Sequence, residues 1–166
     1  MSIAYLPVIV GSPASFSDAE IGDFVAFVCA GGEVASDGLE ARVRAAEQLS
    51  FIRHSVCLLG IAGLKKPSRH YRDEVSKGSG VDLREDTFPY ELGWVFVLPS
   101  ARGNHLAEKL CKPLLDAADN KGIFATTKLL NDAMHVILPR LGFLKSGIPY
   151  DSNRSAYKLQ LFTRAQ

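Results

Sequence analysis

The sequence predicts a mixed α/β fold, in which helices cover a mixed sheet. Two observations predict it. Hydrophobic residues make up 47% of the 166 residues, enough for a sizeable core, and helical and strand-like apolar patterns alternate along the chain. The predicted order is two helices, two strands, then strand, helix, strand, helix and two strands. No internal repeat or linker interrupts it, so we expect a single domain over residues 1–166.

The amino-terminal part predicts a pair of helices. Ser17 and Glu20 match a capping box, and the two glycines at residues 31–32 end the first helix. A second helix is expected over residues 37–49. The apolar face of the first helix recurs with helical spacing at Ile21, Phe24, Val25 and Val28.

The middle of the chain combines a hairpin with a long irregular segment. The hairpin strands are predicted at residues 50–53 and 56–64. Residues 65–89 form an irregular excursion with one or two helical turns at 69–77, and such an excursion inside a compact domain is often functional. A nearly continuous apolar strand over residues 92–98 then ends at a proline.

The carboxyl-terminal part predicts two helices between strands. The first helix covers residues 104–121 and is distorted by Pro113. Asn131 caps the second helix, and a turn is expected at residues 150–154. The strands of this part are predicted at residues 123–127, 143–147 and 156–162.

The charges are unevenly distributed although the net charge is only +1. Residues 1–41 hold six acidic residues and no Lys or Arg, whereas the remainder has a net charge of +7. Two explanations stay open: solvated helices that are acidic, or an acidic side for a cation and a basic side for an anion. A basic cluster, either solvated or in contact with an anion, consists of Lys65, Lys66, Arg69, Arg72 and Lys77.

Several classes of protein are disfavoured. Three cysteines without C-x-x-C spacing and four histidines without metal-ligand spacing predict reduced thiols, no metal site and a cytoplasmic protein. The longest apolar stretches, residues 55–64 and 94–98, are well short of the roughly 20 residues of a membrane helix. The first basic residue is Arg42, so the amino terminus lacks the positive region of a secretory signal. We therefore expect no membrane partner.

Residues 95–107 combine a strand, a proline stop, a short turn and a helix start. A helix start exposes backbone N–H donors and the positive end of the helix dipole, which together can hold a phosphate. Gly103 lets an anion approach the backbone, and Arg102 adds a guanidinium. The P-loop and dinucleotide-binding glycine patterns are absent. Taken alone, the segment is equally compatible with an ordinary strand-to-helix turn.

Residues 91–107, ELGWVFVLPSARGNHLA, resemble the acetyl-CoA-binding core of the GCN5-related N-acetyltransferase (GNAT) superfamily. In that family a strand ending V-x-P leads into R/Q-x-x-G-x-G/A and a helix. The sequences NDAM at residues 131–134 and LGF at 141–143 resemble later elements of the same pattern. The resemblance covers roughly residues 16–161. It implies a mixed, mostly antiparallel sheet flanked by helices and splayed at the cofactor-binding strand.

The resemblance also implies acetyl-CoA as co-substrate, and residues that hold it. The backbone of Phe96 and Val97 would pair with the pantetheine arm, and Asn131 would lie beside that arm. His105 departs from the family pattern, which has glycine there, so its imidazole must point away from the anion or donate to it. The pyrophosphate would be held by Arg102, Gly103, Asn104, His105, Leu106 and Ala107.

Acetyl transfer to an amine requires a base and an acid. An alkylammonium of pKa about 10.4 must lose a proton, which costs about 4.6 kcal/mol at pH 7. Several family members place a catalytic glutamate where this chain has Glu91, whose alternative interpretation is a surface carboxylate. The tyrosine that often serves as the acid is replaced by Leu138. Tyr150 and His135 are substitutes, the alternatives being a buried structural tyrosine and a surface histidine.

The resemblance therefore implies an acyl-CoA-dependent N-acyltransferase. It would transfer acetyl to a primary amine of a small molecule or peptide by direct attack in a ternary complex, and an acidic face would suit a cationic amine. The alternative is a catalytically weakened acyl-CoA-binding or regulatory module, favoured by His105 and Leu138. No nucleic-acid partner is expected, because the bases of residues 65–77 have no aromatic neighbour beyond Tyr71. Family members often dimerise through sheet edges, so a homodimer stays open.

Overall fold

The computed structural model describes residues 2–32 and 34–166, other than the side chain of Ala4. In these residues the strands are β1 (Val8–Gly11), β2 (Gln48–His54), β3 (Cys57–Lys65), β4 (Tyr90–Val97), β5 (Ile123–Lys128), β6 (Leu144–Asp151) and β7 (Lys158–Arg164). The helices are α1 (Asp18–Ala30), α2 (Leu39–Arg44), α3 (Arg69–Ser79), α4 (Leu106–Ala117) and α5 (Asp132–Arg140).

The seven described strands form one mixed sheet in the order β1-β2-β3-β4-β5-β7-β6. The pairs β1–β2, β2–β3, β5–β7 and β6–β7 are antiparallel, and β4 pairs with β5 in parallel. The register of the central hairpin sets Phe51 opposite Ile61. The predicted fold class, a mostly antiparallel mixed sheet flanked by helices, is confirmed.

The chain divides into two compact units, and the boundary falls within β4. The first unit runs to Lys65 and includes Leu92–Ala117. Its core is aromatic: the ring of Phe24 packs edge-to-face against Phe51 at 5.4 Å and against Trp94 at 5.8 Å. The capping box of Ser17 and Glu20 is present, as predicted. The single domain expected over residues 1–166 stays a prediction.

The second unit comprises Lys66–Glu91 and Ala118–Gln166. Its core includes Val75 of α3 and Phe124 of β5, both buried. Helix α3 approaches β6 closely at Gly147, where φ is +65° and an added Cβ would lie 2.2 Å from the carbonyl oxygen of Ser79. Only glycine fits there without strain, so this glycine sets how α3 packs on β6.

The second helix is shorter than predicted. We predicted residues 37–49, but α2 covers Leu39–Arg44, and the chain enters β2 at Gln48. The backbone N–H of Glu47 donates to the carbonyl of Leu64 at 2.9 Å, and Leu49 pairs with Gly63. Hairpin hydrogen bonds therefore replace helical ones in this segment. Tertiary pairing outweighs the local helix propensity of these residues.

Residues 65–89, predicted as mostly irregular, contain the 11-residue helix α3. Ser68 caps it by accepting a hydrogen bond from the N–H of Tyr71 at 3.2 Å, and Gly80 ends it with φ of +76°. The buried residues of α3 are Arg72, Val75 and Ser79. Because two of the three are polar, the apolar spacing that marks a helix is missing from the sequence.

Two further elements differ from the prediction. Strand β1 was not predicted; it pairs with β2 through residues such as Val8, opposite Ile52. The turn predicted at residues 150–154 begins later, because Tyr150 pairs with Leu159 and both Tyr150 and Asp151 belong to β6. The side chain of Tyr150 therefore has a direction that is fixed by the strand.

Candidate active site

The loop between β4 and α4 has a left-handed backbone on both sides of Asn104. Gly103 has φ of +81° and His105 has φ of +55°, and α4 begins at the next residue. Within the described residues, the backbone N–H groups of residues 103–107 donate to no backbone carbonyl. Helix-start donors of this kind are the ones that bind phosphate. The loop thus has the donors that a pyrophosphate site requires.

Two side chains fix the shape of this loop. Nε of Arg102 donates to the carbonyl of Val97 at 3.1 Å. Nδ2 of Asn104 lies 3.1 Å from the carbonyl oxygen of Ala101 and 3.2 Å from that of Arg102 and donates to both. Arg102 is nevertheless exposed, and an added Cβ at Gly103 meets nothing within 4 Å. The space over the loop is therefore open to an anion.

His105 has a left-handed backbone, with φ of +55°, at the position where the family pattern has glycine. Its Nδ1 lies 3.5 Å from Oε1 of Glu108 on the first turn of α4, and its side chain is 73% exposed. A residue with a Cβ is strained at this φ. Of the two orientations expected for the imidazole, the structure shows the ring directed at a carboxylate.

Phe96 and Val97 end β4 just before the loop. The ring of Phe96 packs edge-to-face on Phe27 at 5.6 Å, and Val97 is buried. In the described part of the chain, the ladder of β4 with β5 consists of two pairs, at Tyr90 and Glu91. The backbone at residues 96–97 is outside this ladder, which is the pairing pattern that a splayed strand has.

The predicted residues of α5 take part in local structure. Oδ1 of Asn131 accepts a hydrogen bond from the N–H of Met134 at 3.3 Å, so Asn131 caps the helix as predicted. Nε2 of His135 lies 3.2 Å from the carbonyl oxygen of Lys128, and its ring packs edge-to-face on Phe162. His135 is therefore anchored and is not a freely solvated surface histidine. Leu138 is fully buried in the core.

Glu91 is buried in the second unit, with 3% of its surface exposed. The hydroxyl of Tyr71 donates to its Oε1 at 3.0 Å, and the same hydroxyl lies 3.1 Å from Oγ1 of Thr126. The alternative of a surface carboxylate is therefore wrong. A buried carboxylate held by a hydroxyl donor is an arrangement suited to proton transfer.

Tyr150 belongs to the same unit and carries a buried hydroxyl that has no hydrogen-bond partner among the described residues. Burial, and then the charge of Glu91, raise the pKa of Tyr150 well above its ordinary value. The phenol is therefore protonated at neutral pH and can donate. A purely structural buried tyrosine usually has a partner for its hydroxyl, so this one supports a site.

The structure brings Glu91 and Tyr150 together with two residues that sequence reasoning missed. Tyr71 was noted only as an aromatic beside basic residues, and Thr126 only as part of a strand. The available signal for Tyr71 was Ser68, a helix cap three residues earlier. The predicted loop residues 102–107 and the pair 96–97 lie in the first unit, whereas Asn131 lies in the second.

The acidic residues of the amino-terminal segment are largely paired. Arg44 bonds both Asp18 and Glu40 at 2.9 Å, and Arg53 bonds Asp23 at 3.0 Å. Glu33, part of the same prediction, lies outside the described residues. These pairs favour the explanation of solvated acidic helices over an acidic surface reserved for a cation.

The basic cluster of residues 65–77 is not uniformly solvated. Arg72 is 5% exposed, and its guanidinium donates to the carbonyls of Phe88 and, at 3.4 Å, Pro89. Arg69, by contrast, has a side chain that is 92% exposed. The solvated interpretation is therefore wrong for Arg72, which holds the segment that leads into β4.

Among residues 2–32 and 34–166, no group of three or more His, Cys, Asp or Glu side chains is placed to hold a metal ion. None of the described helices is both long enough and apolar enough to cross a bilayer.

Comparison with known protein families shows to which family the chain belongs. Residues 36–143, well over half of the chain, match the model of the acetyltransferase (GNAT) family. The chain belongs to the GNAT acetyltransferase family. The predicted family is thereby confirmed, and with it an acetyltransferase fold of the type that binds acetyl-CoA. No curated protein is significantly similar to this GNAT chain.

Solved structures share the fold of this GNAT protein at low sequence identity. Escherichia coli ElaA is 13% identical, with a TM-score of 0.69 over 96% of this chain and 99% of its own. An acyl-CoA N-acyltransferase from Pseudomonas aeruginosa is 15% identical, with a TM-score of 0.69 and the same coverage. YncA from Salmonella typhimurium, solved with its cofactor acetyl-CoA, is 16% identical, with a TM-score of 0.64 over 96% of this chain and 93% of its own. Identities this low show the fold alone.

Proposed function

We propose that the protein is an acyl-CoA-dependent N-acyltransferase that transfers acetyl from acetyl-CoA to a primary amine by direct attack in a ternary complex. The observation that carries the proposal is the row of backbone N–H groups at residues 103–107, which donate to no backbone carbonyl in the described chain. In a member of the GNAT family, donors at this place suit the diphosphate of coenzyme A.

The residues of the first unit fit such a ligand. Arg102 is exposed and Gly103 has open space above it, which supports binding of a diphosphate at this loop. Backbone groups of Phe96 and Val97 would hold the pantetheine arm. When bound, acetyl-CoA supplies the activated acetyl group as a thioester. In our proposal the pyrophosphate is held by Arg102, Gly103, Asn104, His105, Leu106 and Ala107, and Asn131 lies beside the pantetheine.

Glu91 is the proposed general base. An acceptor amine is mostly protonated at neutral pH and needs a group that takes its proton before attack. Glu91 is buried, where a carboxylate is poorly hydrated, and it keeps a hydroxyl donor in Tyr71. A carboxylate in this setting can take the proton directly or through one water.

Tyr150 is the proposed general acid. Its hydroxyl is buried without a partner in the described residues, and its raised pKa keeps the proton in place at neutral pH. A donor of this kind can stabilise the charge that develops on a leaving thiolate. Tyr150 thus takes the role that a tyrosine at position 138 would have, where this chain has a buried leucine.

A thiol-release assay with acetyl-CoA and a panel of amines tests the proposal. Release of coenzyme A that depends on the amine, and that falls at least about 100-fold in Glu91→Gln, supports it. Release that does not depend on any amine contradicts it. The panel contains small primary amines and peptides with free amino groups, because the identity of the acceptor is not encoded in the fold.

The second candidate function is an acyl-CoA-binding module with weakened catalysis. Two observations favour it: the strained backbone of His105 in the cofactor loop, and Leu138 at the place of the usual acid. This candidate predicts binding of acetyl-CoA by calorimetry without release of the thiol. A cytoplasmic location belongs to the same proposal and is supported by three free cysteines, two of them exposed.

A further inference from the structure

Two hydroxyl groups form a hydrogen-bonded chain that leads to the proposed base. Oγ1 of Thr126 lies 3.1 Å from the hydroxyl of Tyr71, which lies 3.0 Å from Oε1 of Glu91. A phenol has one hydrogen, and that of Tyr71 is donated to Glu91. Thr126 must therefore donate to Tyr71. Both hydroxyl hydrogens point along the chain towards the carboxylate.

In this direction Glu91 is the acceptor at the end of the chain. A hydrogen bond to an ionised acceptor is stronger than one to a neutral carboxyl, and a donor that itself accepts a hydrogen bond is further polarised. Tyr71 stays neutral as it donates, because burial and the charge of Glu91 raise the pKa of its phenol well above the ordinary range.

The titratable and polar groups that face Glu91 come from three elements. Helix α3 contributes Tyr71 and Arg72, β5 contributes Thr126, and β6 contributes Tyr150. The guanidinium of Arg72 donates to two backbone carbonyls. Tyr150 makes no hydrogen bond to a described residue. Tyr71 is therefore the hydroxyl that orients the carboxylate.

We infer that Tyr71 is a positioning residue, which holds Glu91 in the orientation that a general base needs, with Thr126 supporting it. The inference rests on the proposed function, because it assigns Tyr71 a role towards Glu91 as the base. Tyr71 forms no bond to substrate in this account. Its effect is to hold the carboxylate in one orientation through Oε1.

Separate values of kcat and KM for amine-dependent release of coenzyme A test this role. In Tyr71→Phe kcat should fall by about 10- to 100-fold while KM for the amine stays within about twofold, because the carboxylate loses its hydrogen bond and the ring is kept. Thr126→Val should lower kcat by less, again with KM unchanged. Tyr5→Phe is the matched control, because Tyr5 is 79% exposed and lies in the other unit.

The outcomes separate this inference from the proposed function. An unchanged kcat in folded Tyr71→Phe, or a lower melting temperature without a loss of kcat, assigns the residue to packing and overturns the inference. An unchanged kcat in Thr126→Val overturns it too if Tyr71→Phe fails to fold by circular dichroism. Wild-type protein without amine-dependent release overturns the proposed function, and with it this inference. A fully active Glu91→Gln overturns the choice of base.

Discussion

Gly78 of α3 lies against the ring of Tyr150 on β6, so closely that a Cβ at position 78 would be 2.5 Å from Cδ2 and 2.8 Å from Cγ of the tyrosine. A contact this short forces the ring to shift, because ring carbons next to the backbone have little freedom to move away. The absence of a side chain at position 78 therefore fixes where the proposed acid is held.

Gly78→Ala is expected to lower kcat by about 10- to 100-fold, since small displacements of a catalytic group have effects of this size. Steady-state thiol release measures the change. The free energy of unfolding should fall by no more than about 1–2 kcal/mol, because the overpacking is partly offset by the helix propensity of alanine. Gly22→Ala in α1, where a Cβ meets nothing within 4 Å, is the stability control and should gain up to about 1 kcal/mol. An unchanged kcat in Gly78→Ala would show that the position of Tyr150 does not matter.

His105→Gly should stabilise the protein and strengthen cofactor binding. The φ of +55° at His105 is strained for a residue with a Cβ, and glycine removes that strain, for a gain of up to about 1 kcal/mol. Thermal unfolding and calorimetric titration with coenzyme A measure the two effects. Ser55→Gly, with the same φ in the β2–β3 hairpin, should share the stability gain without the change in affinity. Weaker binding in His105→Gly would instead show that the imidazole contacts the anion.

The free energy of unfolding should fall at alkaline pH because of Cys111. The thiol is fully buried, and burial raises its pKa to about 12 from 9.0, so the fold favours the neutral form. Its contribution is fully present below pH 9 and is lost as pH rises from about 9 towards 12, by at most about 1.4 kcal/mol per pH unit. Urea unfolding at several pH values measures this slope, which should be shallower in Cys111→Ala. Cys57→Ser, an exposed cysteine, is the control. Equal slopes in wild type and Cys111→Ala would contradict the account.

Arg72→Leu should destabilise the protein strongly. The change leaves the partly buried carbonyls of Phe88 and Pro89 without their guanidinium donor, at an expected cost of about 2–4 kcal/mol. Arg72→Lys should not restore the loss, because an ammonium cannot copy the planar guanidinium. Chemical denaturation measures the difference. Arg69→Leu is the matched control on the exposed side of the same helix and should change stability by less than about 0.5 kcal/mol. A similar loss in both variants would argue against a role specific to Arg72.

Features with local signals could be predicted from the sequence. The capping box of Ser17 and Glu20 carries its own hydrogen-bond pattern, and the hairpin of β2 and β3 carries two apolar strands. Asn131 was recognised as a cap for the same reason. The loop at Gly103 could be predicted from the strand and the proline that precede it and from the glycine itself. Close approach of an anion to the backbone leaves few residue types that fit there.

Features set by tertiary contacts could not be predicted. Helix α3 buries Arg72 and Ser79, whose polarity hides the helix in the sequence. Tyr71 reaches Glu91 across 20 residues, and Thr126 reaches Tyr71 across 55, so no spacing rule connects them. Strand β1 is short and half-exposed, and its existence depends on pairing with β2.

Calorimetric titration of the wild-type protein with coenzyme A, compared with pantetheine, tests the central claim most directly. Pantetheine carries the thiol arm without the diphosphate, so it cannot use the backbone N–H groups of residues 103–107. We predict that coenzyme A binds at least about 100-fold more tightly than pantetheine, as expected for several charge-assisted hydrogen bonds. Equal affinity for the two compounds, or no binding of coenzyme A to folded protein, would contradict the claim that this loop holds the diphosphate.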